Sequence, residues 1–404
     1  MLTVIHLYPP HHIGGYEVAC QSVMERFAER GIEVEVLTAD HRMDGVDEAA
    51  SPVPVRRLLR PWWDWDAWAP AQMNLRERIV IERNNQRALA ETLADFQPDV
   101  ASVWDLGFMS WSLATLLERR RIPIVLTFLD DWIATAYPFD AWLRIFENRP
   151  WLRPFGTTLR LETHPPTFRG AVASNASRMI EQSIAANSRW TFPDAELVPS
   201  GVENRAFPIT APRQAPWSWR LLYAGRMTPQ KGVATLIKAM ALLPEQASLD
   251  LVGHGHDSVM RGLKALAAEL GVAHRVAFSV ASSREELRER YAAADVLVFP
   301  SEWPEPFGLV PLEAMACGTP VVATGTGGSG EFLEDDSNCV LFKPGDPDAL
   351  AAAVCRLAQD PALRSRIVTG GTATAKRMTM DVYADRLEVL HRRAAFGDQA
   401  QVPV

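Results

Sequence analysis

Apolar residues along the chain gather into short continuous runs, separated by longer stretches where they recur every three or four positions. The runs LTVIHLY (2–8), VEVLT (34–38), PVRRL (54–58), DVASVW (99–104) and IPIVLTF (122–128) read as strands, and β-branched residues dominate several of them. Between them, amphipathic stretches at 16–30, 72–96 and 109–119 read as helices, the first stopped by Gly31. The shorter runs AVASN (171–175), SIAANS (183–188) and AELVPSGV (195–202) read as closing strands and turns of the same half. A Pro- and Trp-rich stretch, FPITAPRQAPWSW (207–219), interrupts the rhythm as a linker. The alternation then resumes. RLLYAG (220–225), SLDLVG (248–253), RVAF (275–278), DVLVFP (295–300) and TPVVAT (319–324) read as strands, with helices expected at 232–243, 258–270, 284–293 and 309–317.

Strand–helix alternation of this kind predicts an α/β fold with two doubly wound parallel sheets, 1–206 and 207–378. A last helix near 380–394, in the segment 379–404, is expected to cross back to the first half. Two such halves in series leave a cleft, and ligands of open parallel sheets bind beyond the carboxyl ends of the strands. The loops just after strands are therefore where chemistry is expected.

Composition sharpens this without changing it. The chain has 404 residues, 48% hydrophobic and 22% charged, which suits two folded domains. Its net charge of -8 excludes a general nucleic-acid surface but leaves room for a local anion site. Cys20, Cys317, Cys339 and Cys355 have no C-x-x-C spacing, so neither a zinc site nor a disulfide framework is signalled and a reducing cytoplasm fits. The first residues have no basic leader, and Pro9 and Pro10 break their apolar run. No run approaches the ~18 apolar residues of a membrane span, although peripheral membrane contact stays open.

The strongest local signal is PSEWPEPFGLVPLEAMACGTPVVAT (300–324). Here a strand delivers Glu305 into a loop, Gly308 and Leu309 open a helix, Pro311 suits its first turn and Glu313 lies about one turn in. Backbone N–H groups at such a helix start approach an anion closely. In YAGRMTPQKG (223–232), Arg226 and Lys231 add two cations in a loop that leads into a helix. GTGGSG (325–330) matches a dinucleotide fingerprint, but the EFLEDD that follows is too short for the crossover helix such a site requires. Trp62, Trp63, Trp65 and Trp68 are either packing beneath a loop or a platform for an acceptor. His6, His11 and His12 near the first loop read as structural or solvated.

The 300–324 segment resembles the signature of retaining family-4 glycosyltransferases (glycosyl transferases group 1) of the GT-B fold. The match rests on two glutamates seven residues apart, with PFGL after the first and EAMACGTPVVA around the second. LVGHGHD (251–257), VPSGVE (198–203) and IGGYEVACQSVMERFAERGIEVEVLT (13–38) resemble further family segments. The likeness is strongest over 221–344 and thinnest over 51–193.

The resemblance implies hexose transfer from a nucleoside-diphosphate sugar (UDP-, GDP- or ADP-) to a hydroxyl of a small molecule, glycan or lipid. It implies no cofactor and no metal. It assigns the diphosphate to Arg226, Lys231, the amides at Gly308 and Leu309, and the paired glycines Gly14 and Gly15. Glu305 is assigned to the donor sugar and Glu313 to the ribose. Trp62, Trp63, Trp65 and Asp131 are acceptor candidates.

One departure stands out in TFLDDW (127–132), where Leu129 occupies the position at which many relatives carry histidine. Front-face chemistry, in which the departing diphosphate takes the acceptor proton, asks the protein mainly for electrostatics and positioning. A glycosidase needs two carboxyls ~5 to 9 Å apart across one bond, and adjacent residues of an extended chain diverge. Asp130, which aligns with the family's aspartate, is the acid expected to touch substrate. The alternatives are an epimerase or hydrolase of sugar nucleotides, or, given Leu129, a binding protein without transfer chemistry.

Overall fold

The computed structural model describes residues 1–47, 51–64, 69–211, 216–281 and 283–397. The chain forms two compact units, Met1–Val198 joined by the chain from Ala384 onward, and Pro199–Tyr383. One continuous helix, Met380–Phe396, carries the chain from the second unit into the first.

In the first unit the strands are β1 (Leu2–Ile5), β2 (Glu35–Ala39), β3 (Val55–Leu59), β6 (Ala101–Asp105), β7 (Ile124–Phe128), β8 (Val172–Asn175) and β9 (Glu196–Leu197). A small antiparallel pair, β4 (Trp63–Asp64) with β5 (Ala69–Pro70), stands outside the main sheet. The sheet order is β3-β2-β1-β6-β7-β8-β9, with every neighbouring pair parallel. All residues of β1, β2, β6 and β7 are buried, which is why they read as unbroken runs rather than alternations. The strand order reverses between β1 and β6, so the loops after β1, β6 and β7 open at the switch point.

The second unit repeats the plan with β10 (Arg220–Ala224), β11 (Ser248–Val252), β12 (Val276–Ser279), β13 (Val296–Phe299), β14 (Val321–Ala323) and β15 (Val340–Leu341). Their order is β12-β11-β10-β13-β14-β15, again parallel throughout. Leu221, Tyr223, Leu249, Leu251 and Val298 from the sheet pack with Leu236, Ile237, Met240, Leu350 and Val354 from helices as one core. Here the reversal lies between β10 and β13, which brings the Arg226–Lys231 loop beside the Pro300–Gly308 loop.

Several expectations need correction. SIAANS is not a strand or turn but the end of the helix Arg178–Asn187, whose first turn is capped by Ser177 accepting from the Ile180 N–H. Ile180 and Ile184 form its buried stripe, a 3.6-residue pattern that the short run alone does not show. The unit boundary falls at Val198/Pro199 rather than after 206, and at Tyr383/Ala384 rather than after 378. The cause is a local backbone tie: Val202 N–H donates to Met378 O and Met380 N–H to Val202 O, both at 2.8 Å. Two further helices, Pro347–Gln359 and Pro361–Arg377, each begin with proline behind a capping aspartate, Asp346 and Asp360. No helix among the described residues is long and apolar enough to cross a membrane.

Candidate active site

In the second unit, Lys231 ends a 3-10 turn (Pro229–Lys231) after β10, and Glu305 sits in the loop after β13. The Lys231 ammonium donates to both Glu305 carboxylate oxygens, at 2.6 and 2.8 Å, and the Ser301 hydroxyl donates to Glu305 Oε1 at 2.6 Å. Glu305 is only 4% exposed, so its charge is held by these partners rather than by water. An ammonium has three donors, so after two bonds to Glu305 one remains for an incoming anion. Lys231 also lies 5.9 Å from the centroid of the Trp303 ring, and Arg226 extends into solvent from the same loop.

Two glycines make this juxtaposition possible. Gly232, at φ +67°, passes so close to the β13 loop that a Cβ would stand 1.9 Å from Pro300 O. Gly327, at φ +63°, belongs to the GTGGSG loop, and a Cβ there would meet the Glu305 backbone at 2.6 Å. Gly328 N–H donates to Glu305 O at 2.6 Å, so this loop is a clamp on the Glu305 main chain. It leads into a single 3-10 turn, Gly328–Glu331, with β15 as the next strand, which disposes of the dinucleotide reading.

Three residues after Glu305, Gly308 caps the helix Leu309–Ala316, and no side chain caps its N-terminus. The first-turn N–H groups at Leu309 are thus unclaimed by a capping side chain. Glu313 is half-buried within that helix and accepts from the Tyr291 hydroxyl at 2.8 Å. Burial holds its carboxyl above the ordinary range, against the lowering effect of the Tyr291 bond.

In the first unit, the loop after β1 runs to Gly14 and Gly15, where the helix Gly15–Glu29 starts. Neither glycine is demanded by the fold. A Cβ at Gly15 meets nothing within 4 Å, and the nearest atom to one at Gly14 is Glu17 Oε2 at 3.8 Å. Glu17 turns back to accept from Gly14 N–H at 3.2 Å and from His6 Nε2 at 2.9 Å. The other ring nitrogen of His6, Nδ1, lies 3.3 Å from Asp105 Oδ2 at the end of β6.

These groups form a buried cluster at the carboxyl ends of β1, β6 and β7, which Asp130 joins electrostatically. Burial alone would lower the His6 pKa, but Asp105 and Glu17 outweigh it and hold it above the ordinary value. Burial raises Asp105, while the His6 bond holds Glu17 low despite burial. Asp130 is pushed up to about 7, by burial first and by the Asp105 charge second.

The two acids of TFLDDW part company. Asp130 Oδ1 accepts from Trp132 N–H at 3.0 Å, whereas Asp131 Oδ2 accepts from the Ser183 hydroxyl on the helix Arg178–Asn187 at 2.5 Å. Leu129 is half-buried, and its N–H donates to the Tyr16 hydroxyl at 3.3 Å. Trp62 is core at 2% exposed, and Trp63 packs against Phe108 with ring centroids 4.8 Å apart. Trp65 and Trp68 lie outside the described residues.

Thus Lys231, Glu305, Gly308 and Leu309 come together around one switch point, and Gly14, Gly15 and Asp130 belong to the other unit. Glu17 and Asp105 escaped sequence reasoning, and from sequence His6 reads only as structural or solvated. A histidine directly after a buried strand and an acid in the first turn of the next helix were the available signal. Their meeting with Asp105 depends on β1 pairing with β6, which no local pattern reveals.

A doubly wound parallel sheet repeated in series carries, at the second unit's switch point, a helix start without a side-chain cap and a clamped Lys–Glu pair. The profile described as "Glycosyl transferases group 1" matches residues 213–374, and that described as "Glycosyl transferase 4-like domain" matches residues 14–159. The chain is 37% identical to D-inositol 3-phosphate glycosyltransferase of Thermomonospora curvata over 400 residues, covering 93% of this chain and 89% of the relative. The corresponding protein of Thermobispora bispora is 36% identical, with 95% and 92% covered. Among solved structures, sucrose-phosphate synthase from Thermosynechococcus elongatus superposes with TM-score 0.70 at 23% identity, covering 97% of this chain and 98% of the other. Anabaena HepE in complex with UDP and glucose superposes with TM-score 0.67 at 20% identity, covering 96% and 97%. The chain therefore belongs to the group 1 glycosyltransferases, enzymes of the GT-B fold.

Proposed function

We propose that this glycosyltransferase moves a hexose from a UDP-sugar to an acceptor hydroxyl, with retention at the anomeric carbon and without a metal ion. The observation that carries the reading is the clamped Lys231–Glu305–Ser301 group, three residues before an uncapped helix N-terminus, at the switch point of the second unit. Such a group supplies what a departing diphosphate needs, fixed positive charge and free N–H donors aimed at developing negative charge. Lys231, Arg226 and the amides at Gly308 and Leu309 take the diphosphate. Glu305, held rigid by Lys231 and Ser301, accepts hydrogen bonds from donor-sugar hydroxyls. Glu313, oriented by Tyr291, accepts from the ribose diol.

UDP is the favoured nucleotide because HepE was solved with UDP and UDP-glucose, and D-inositol 3-phosphate is the first acceptor to try because two relatives bear its name. Incubating the protein with UDP-, GDP- and ADP-hexoses and that acceptor, with and without EDTA, tests the reading. The expected product carries the donor's anomeric configuration by NMR and forms equally with EDTA. Inverted product, dependence on divalent metal, or epimerised or hydrolysed donor without transfer would each refute it. Glu305→Gln should lower turnover by about 100-fold or more, and full activity would remove Glu305 from the site.

A further inference from the structure

Between β7 and β8 the first unit carries a run of short helices with three exposed aromatic rings. Trp151 is 72% exposed, Phe139 58% and Phe155 47%, whereas scattered exposed apolar residues elsewhere need no explanation. Pro150–Leu152 and Arg153–Thr158 are consecutive helical segments, so Trp151 and Phe155, four apart, share a face, with Pro154 exposed between them. The opposite face holds buried Gly156, where a Cβ would strike Thr163 Cγ2 at 2.2 Å and the Phe146 ring at 3.1 Å.

This segment is firmly anchored rather than loosely packed. Buried Asp140 accepts from the N–H groups of Trp111, Trp142 and Leu143, and the buried Trp142 indole donates to Glu162 O at 2.6 Å. A pinned scaffold therefore presents Trp151 and Phe155 to solvent, and the arrangement has no use in the core.

Charge identifies the occupant. Residues 137–160 hold four arginines, Arg144, Arg149, Arg153 and Arg160, against Asp140 and Glu147, a balance of +2 in a chain of net charge -8. Asp140 is buried, and Glu147 is already bound by Arg144 at 3.0 Å and by Arg189. Arg149, Arg153 and Arg160 make no ion pair among the described residues. A rigid indole and a phenyl ring flanked by unpaired guanidinium groups match the boundary between anionic headgroups and acyl chains. A second copy fits worse, since a two-fold contact would set these arginines against their own kind.

We infer that the surface formed by Arg149, Trp151, Phe155 and Arg160 docks the protein on an anionic lipid bilayer. The inference is independent of the donor and acceptor chosen above. Flotation of the full chain with vesicles of phosphatidylcholine alone, or of phosphatidylcholine with phosphatidylglycerol, tests it.

Binding is expected only with phosphatidylglycerol and should weaken as salt rises. Trp151→Ala/Phe155→Ala should weaken binding by about tenfold or more, and Arg149→Ala/Arg160→Ala by about thirtyfold. Both variants should keep a Tm close to that of wild type, because Arg149, Trp151 and Arg160 are exposed and Phe155 is about half exposed. Val280→Ser, at an apolar residue 64% exposed in the second unit, should bind like wild type. Four results would each overturn the inference: no flotation of wild type, equal flotation with neutral lipid, unchanged binding by both double variants, or a dimer in sedimentation that Trp151→Ala/Phe155→Ala dissolves.

Discussion

At the residue scale the proposed function gives the pair Lys231–Glu305 two jobs that mutation can separate. Lys231→Ala removes both the cation and the partner of a carboxylate that is 4% exposed. The expected cost is about 1–3 kcal/mol of stability and about a hundredfold to a thousandfold in kcat. Replacing both members, Lys231→Met with Glu305→Gln, leaves no stranded charge. Most of the stability should return, by urea melts, while activity stays lost; recovered activity would reduce the pair to a structural tie.

Asp130 offers a pH test. Its folded pKa, about 7, lies above the ordinary carboxylate value of about 4, so the folded state holds a proton that the unfolded state has lost. Stability attached to this group is full below about pH 4 and falls as pH rises toward 7. Asp130→Asn should therefore gain on wild type, by about 3 kcal/mol between pH 4.5 and 8, measured as the difference of two unfolding curves. A pH-independent difference would contradict the buried, charge-crowded setting of Asp130.

At the element scale, loops rather than regular structure set the site. The clamp at 325–330 is the clearest case, because Gly327 combines φ +63° with a contact no side chain tolerates. Gly327→Ala should cost about 1–3 kcal/mol and lower kcat by displacing Glu305, although residue 327 carries no reacting group. Normal kcat with lowered Tm would show that the clamp serves stability alone. The same loop shows how element context decides meaning. GTGGSG fits a phosphate-binding string, but here its close backbone approach is to Glu305.

At the scale of the whole molecule, the helix Met380–Phe396 returns the chain to the first unit. Within that unit buried His391 bonds Ser102 on β6 at 2.8 Å and stacks edge-on to Phe27 at 5.6 Å, while Arg30 pairs with Asp385 and Glu388. Ending the chain at Tyr383 should therefore weaken the first unit more than the second. Hydrogen exchange should show lost protection first in 15–29 and 101–105, and equal loss in 220–252 would refute the assignment of this segment.

The sequence by itself determined the strands, most helices and the loops that stand at the second unit's switch point. Those features are written in local periodicity and in contiguous strings such as PFGLVPLEAMACGTPVVAT, where spacing along the chain is spacing in space. It also marked TFLDDW as a departure from the family. Tertiary structure alone decided which acid of that pair joins the His6–Glu17–Asp105 cluster, because the four groups come from elements as far apart as residues 6 and 130 and meet only through sheet order. It also decided that Trp62 is core, that Glu305 is clamped by a glycine loop twenty residues downstream, and that Trp151 faces solvent. Burial and long-range pairing depend on which faces pack, and no window of local sequence carries that information.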